Sequence, residues 1–183
     1  MTSKTESKPA LEDATDLVIA VLYAKGKSGK FNEPIDGITR LQKLVFLLQN
    51  GYGPKELVSE AKRYGYEPYK MGPFAEGLQN DLNDLLAAGI VLTRRLEYWL
   101  PDDTDASPRG TFGMRTKTKQ VESMRYYLSE LGEEIGKDLW AQLDSGYRSE
   151  LVEFKTFFNA LTLRQLLIFT YEKFPKFTSE SII

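Results

Sequence analysis

The chain has 183 residues, 42% of them hydrophobic, with 24 basic and 26 acidic side chains and a formal charge of -2. That length buries one sizeable core without staples, and the near-neutral balance gives the surface as a whole no bias toward nucleic acid or anionic lipid. Cysteine and histidine are both absent, which excludes disulfides, thiolate nucleophiles, Cys-ligated zinc, the Ser-His and Cys-His catalytic pairs, and the commonest general base at neutral pH.

Residues 1–9 read as a polar tail. ALEDATDLVIAVLYAKG then carries Leu11, Ala14, Val18 and Val21/Leu22 at helical spacing with acids in its first turn, which predicts the first helix. Acids precede this apolar run where a secretory leader has basic residues, and no apolar run reaches the ~18 residues of a membrane span, so a cytoplasmic protein is expected. KGKSGKFNEPIDG reads as a loop. ITRLQKLVFLLQNG places Leu41, Leu44, Val45 and Leu48 on one face of a second helix, expected to be central, with Arg40 and Lys43 as its solvent handles. KELVSEAKRYGY predicts a short amphipathic helix through Leu57, Val58 and Ala61, and YEPYKMGP a bend.

In MGPFAEGLQNDLNDLLAAGIV, Gly72 suits an N-cap and Pro73 the first helical position. Phe74, Leu78, Leu82, Leu85 and Leu86 then form one face, and Gly89 suits a left-handed stop. IVLTRRLEYWL alternates as a strand, PDDTDASPRG is turn-rich, and TFGMRTKT is expected to return as the second strand of a hairpin. From Lys119 to about Leu143, Val121, Met124, Leu128, Leu131, Ile135 and Leu139 recur at helical spacing, with Gly132 and Gly136 as weak points. SELVEFKTFFNAL predicts another helix, and Thr162 with Gln165 starts a last one by a capping box, stopped by Pro175. The expected fold is mainly α with a small β-hairpin (α+β): a winged helix-turn-helix-like core with flanking helices. Residues 10–183 then form a single winged-helix-like domain with a C-terminal helical extension.

Several suggestive spacings do not carry chemistry. GKSGK at 26–30 lacks the upstream Gly of a phosphate loop and has Phe31 where Ser or Thr is needed. Ser59 and Lys62 have S-x-x-K spacing without its partner motifs. Tyr66 and Lys70 are separated by Pro68, which a shared helix face does not tolerate. Asp102, Asp103 and Asp105 lack the Gly and closing Glu of a calcium loop, and Glu133 and Glu134 point apart on a helix. No catalytic residue, metal ligand or cofactor site is expected.

Two stretches, ITRLQKLVFLLQ and YKMGPFAEGLQNDLNDLLAAGIV, resemble the YwgA-like and Panacea (SocA-like antitoxin) families. There a "LQKLLYL"-type helix precedes a "YGPFS"-type turn, an amphipathic helix and a strand. The matching positions are Leu41, Gln42, Lys43, Leu44, Phe46, Tyr69, Gly72, Pro73, Phe74, Leu78, Asp81, Leu85, Gly89 and Ile90, while Met71 and Ala75 depart from the pattern. LRQLLIFTYEKFPKFTSES is similar to the families' closing "YVYEKYPEY"-type helix. The resemblance spans roughly residues 36–118 and implies a small, non-enzymatic prokaryotic protein, antitoxin-like, that acts by binding a protein.

The residues leave two surfaces to weigh. For an unidentified protein partner the candidates are Tyr64, Tyr66, Tyr69 and Trp99, because aromatics are enriched at binding hot spots. For duplex DNA they are Arg94, Arg95, Arg109, Arg115, Lys117 and Lys119, which would meet phosphates from the hairpin wing. Residues 74–89 hold Glu76, Asp81 and Asp84 and no basic residue, which opposes insertion of that helix into a groove.

Overall fold

The computed structural model describes residues 10–101 and 118–178. These residues build an α+β arrangement of six α-helices, a three-stranded sheet and a two-stranded hairpin around one continuous apolar cluster.

Helix α1 (Ala14–Tyr23) starts at Asp13, whose side chain accepts from the Asp16 backbone N–H at 3.0 Å. Leu17 to Tyr23 are buried without a break, so α1, apolar all round, is more enclosed than its amphipathic neighbours. After a loop comes β1 (Ile35–Asp36), a strand the sequence pattern did not announce, and then α2 (Ile38–Gln49). The expected solvent handles of α2 both bind the protein's own structure instead. Lys43 is 2% exposed, and Arg40 donates to the Asn159 and Leu161 carbonyls at 3.2 and 2.6 Å.

Between α2 and α3 the structure departs from the expected helix. Only a 3-10 turn, Glu60–Lys62, forms there. Glu56 takes φ +60°, and Leu57 and Val58 are buried, with the Leu57 carbonyl accepting from Leu11 N–H at 2.8 Å. Tertiary burial of two adjacent apolar residues here overrides a weak local helix preference. Next, β2 (Glu67–Tyr69) and β3 (Gly72–Phe74) pair antiparallel, Tyr69 opposite Gly72. Gly72 and Pro73 are therefore hairpin residues instead of a helix cap and first turn. Helix α3 (Glu76–Ala87) begins later, and Gly89 supplies its stop at φ +69°.

Strands β4 (Val91–Pro101) and β5 (Thr118–Leu128) form the hairpin, in register from Val91 opposite Leu128 to Pro101 opposite Thr118. The return strand thus occupies residues expected to be helical, and of the expected strand at 111–118 only Thr118 lies among the described residues. Met124, Tyr126 and Leu128 alternate along β5 as a strand requires, and the helical spacing of Val121, Met124 and Leu128 concealed it. The sheet order is β1-β5-β4, with Ile35 opposite Tyr126.

Helix α4 (Glu130–Gln142) follows, capped by Ser129. Its two glycines mark close approach: a Cβ on Gly132 would strike the Ile90 carbonyl oxygen, and one on Gly136 would lie 2.8 Å from the Tyr23 ring. Helix α5 (Ser145–Phe158) puts Leu151, Phe154 and Phe158 into the core. Helix α6 (Leu163–Lys173) opens with both halves of the Thr162–Gln165 capping box and gives way to a 3-10 turn at Pro175–Phe177. Among the described residues no helix is long and apolar enough to cross a membrane.

Candidate functional site

Two stretches distant in the chain, ITRLQKLVFLLQ and YKMGPFAEGLQNDLNDLLAAGIV, meet in space and form a clamp. Gln42 on α2 turns its amide onto the backbone of Ala75, donating to its carbonyl and accepting from its N–H, each at 3.0 Å. On the adjacent residue, Lys43 Nζ donates to the Pro73 carbonyl at 2.7 Å. Burial pushes the Lys43 ammonium down to about 7, because a desolvated cation with one acceptor is poorly compensated. Gly72, at φ +83°, lets the Tyr171 ring of α6 close over it; a Cβ there would lie 2.6 Å from the ring edge. The hairpin β2–β3 is thereby fixed against α2 and α6.

What that hairpin presents is Tyr69, 47% exposed, its ring 5.1 Å from Phe74 and with Lys70 Nζ 6.0 Å from its centroid. The other two tyrosines of the expected surface turn inward. Tyr64 donates its hydroxyl to Asp81 Oδ2 at 2.6 Å, an oxygen that also accepts from Thr15 at 2.7 Å. Tyr66 packs edge-on against Phe46 and donates to the Gln42 carbonyl at 3.3 Å. Burial raises both phenols, and for Tyr64 the Asp81 carboxylate adds to it. Tyr64 and Tyr66 thus join α1, α2 and α3, leaving Tyr69 as the exposed tyrosine of the three. The side chain of Trp99 lies outside the described residues.

On the β4–β5 hairpin, Arg94 is exposed and makes no ion pair among the described residues. Arg95 binds Glu122 across the strands, with Glu97 3.6 Å away, and the Glu122 contact raises the already high guanidinium pKa. Arg125, which the sequence reading did not single out, makes a two-pronged bond to Asp36 at 2.6 and 2.9 Å, joining β5 to β1. Arg109, Arg115 and Lys117 lie outside the described residues, as does the side chain of Lys119.

One feature escaped sequence reasoning altogether. An open cleft of about 1180 Å³ lies where α2 begins, β5 passes and α6 begins. Asp36, Ile38, Arg40, Met124, Leu163 and Arg164 are among its walls. They come from three distant segments of the chain, so no local motif announces it.

No family model, curated protein or solved structure matches this chain.

Proposed function

We propose that this chain is a non-enzymatic regulatory adaptor, antitoxin-like and of the YwgA-like or Panacea type, with a winged helix-turn-helix-like core, and that it acts by binding a protein. The order of α1, α2, α3 and the β4–β5 hairpin supports the winged-helix part of this reading, with β2–β3 as an insertion before the third helix. The meeting of Gln42 and Lys43 with Pro73 and Ala75 supports the family part, because the two stretches behind the resemblance act as one structural unit.

The observation that carries a protein partner over DNA is the charge on α3. In the place of a groove-reading helix it exposes Glu76, Asn80, Asn83 and Asp84 and holds no basic residue. Carboxylates brought to phosphates oppose the backbone term that supplies most DNA affinity. On the wing the cross-strand Glu122 neutralises Arg95 and Asp36 neutralises Arg125. Tyr69, with its large exposed ring, is suited to a protein interface.

The test is affinity purification of the full chain from its own host beside titration with a random 20-base-pair duplex at about 50 mM salt. A stoichiometric protein partner whose recovery falls with Tyr69→Ala, together with no duplex binding, is the expected result. Exposed Arg94 favours the second reading, a DNA-binding regulator that meets the backbone through its wing. Salt-sensitive duplex binding that disappears in the Arg94→Glu/Arg95→Glu variant would establish that reading and sink the first.

A further inference from the structure

The cleft beside β5 has three properties that together define an occupant. The first is an unfilled strand position. Strand β1 pairs only with Arg125 and Tyr126 of β5, and just beyond it Gly37 N–H donates to the Met124 carbonyl at 2.8 Å before the chain turns into α2. In an antiparallel ladder alternate residues direct both backbone groups to the same neighbour. Tyr126, Met124 and then Glu122 therefore face the side of β1, and at Glu122 no strand of the described residues lies on that side. By the same alternation the Glu122 N–H and C=O are directed to that side, and Glu122 is among the residues that line the cleft.

The second property is an apolar wall. Met124 on β5 and Leu163 at the start of α6 are 39% and 37% exposed, and both line the cleft with Ile38 and Tyr126. The volume exceeds the ~300–1,000 Å³ of small-molecule sites. A side chain of an added strand, projecting from the sheet face, would enter between Met124 and Leu163.

The third property is charge. Both acids of the cleft already have arginine partners, Asp36 with Arg125 and Glu122 with Arg95. Arg164 is exposed, in the first turn of α6, and makes no ion pair among the described residues. A cation in the first helical turn opposes the helix dipole, so folding gains nothing from it there, whereas an incoming carboxylate would gain from both.

We propose that this cleft binds an extended segment of a partner polypeptide, which adds as a strand to β5 at Glu122, seats an apolar side chain between Met124 and Leu163, and sets a carboxylate against Arg164. This deepens the protein-binding reading above and rests on it. Main-chain pairing supplies affinity in such strand addition, and the side-chain pockets supply selectivity. A nucleic acid suits the cleft less well, since the open edge presents a carbonyl as well as an N–H and the walls include the apolar Ile38, Met124 and Leu163.

The experiment selects phage-displayed random dodecapeptides on the immobilised full-length chain, then measures synthetic copies of the enriched peptides by titration and hydrogen exchange. Expected are peptides with an apolar residue near Asp or Glu, binding weakened about tenfold or more by Arg164→Glu, and slower exchange of the Glu122 amide in the wild-type complex. Glu122→Gln, which keeps the N–H, retains binding, and Glu122→Pro, which removes it, loses binding. The exchange measurement on wild type decides the matter even if the proline variant fails to fold. Failure to enrich any peptide, equal binding to Arg164→Glu with an unchanged Glu122 amide, or displacement of the peptides by a duplex would each overturn the proposal. A host protein that co-purifies equally with wild type and Arg164→Glu leaves the protein-binding reading standing and removes this cleft as its site. Absence of any host partner removes the reading itself.

Discussion

Two lysines among the described residues are buried, and their neighbours show two different ways of keeping an ammonium out of water. Lys155 on α5 is 0% exposed and donates to the carbonyls of Leu22, Ala24 and Glu33 at 2.9, 2.7 and 2.7 Å. Burial pushes it down to about 7, while the Glu33 carboxylate pulls upward. Lys43 reaches about 7 with the single Pro73 acceptor. Its ordinary value of 10.5 applies in the unfolded chain, so between pH 7 and 10.5 the unfolded chain holds a proton that the folded one has released. Stability contributed by this group therefore rises with pH across that window, by at most about 1.4 kcal/mol per unit, and is flat below it. Lys43→Met is expected to reduce the rise seen in urea midpoints between pH 6 and 9, with Lys155 supplying what remains. Gln42→Leu, which leaves the Ala75 N–H and C=O without their side-chain partner, is expected to lower unfolding free energy by about 2–4 kcal/mol, read by urea denaturation.

The elements most legible in the sequence were those whose signals are local. The Thr162–Gln165 capping box, the Gly89 stop and the leucine face of α3 all follow from neighbours a few residues away, and all are present. The elements that were missed depend on distant partners. Strand β1 exists because β5 offers it a place, and β2–β3 exists because Gln42 and Lys43 hold it. Likewise Gly132 lowers the helix propensity of α4, yet it allows the helix to approach the Ile90 carbonyl. Gly132→Ala would gain about 1 kcal/mol in an isolated helix. Here it is expected to lose net stability and to shift the Tm downward in a thermal melt, because a backbone oxygen cannot move aside as a flexible side chain can.

At the scale of the molecule, the C-terminal helices are part of the core that holds the candidate surfaces. Phe154 and Phe158 of α5 and Leu166 of α6 lie in the same apolar cluster as α1 and α2, and Lys155 ties α5 to the end of α1. A chain ending at Leu143 is expected to lose the cooperative unfolding transition of the full chain in circular dichroism, since it exposes that cluster and strips the buried carbonyls of their donor. Of the expected binding residues, the exposed position of Tyr69 agrees with a surface role, whereas Tyr64 and Tyr66 serve the interior. Composition cannot separate these, because a tyrosine suits a half-buried core and an interface alike.

By itself the sequence determined the helices α1, α2, α3, α5 and α6, the first strand of the hairpin, the acidic character of α3 and the absence of histidine and cysteine chemistry, since each is a property of residue type and local spacing. Only the tertiary structure decided that Lys43 is buried and that Arg40 binds the Asn159 and Leu161 carbonyls, that Gly72-Pro73-Phe74 is a strand, and that Met124, Leu163 and Arg164 share one cleft. These outcomes turn on whether a buried carbonyl, a free strand edge or an apolar face from a distant segment is present to meet the residue. Such partners are fixed by how the chain packs and leave no mark in the spacing of its neighbours.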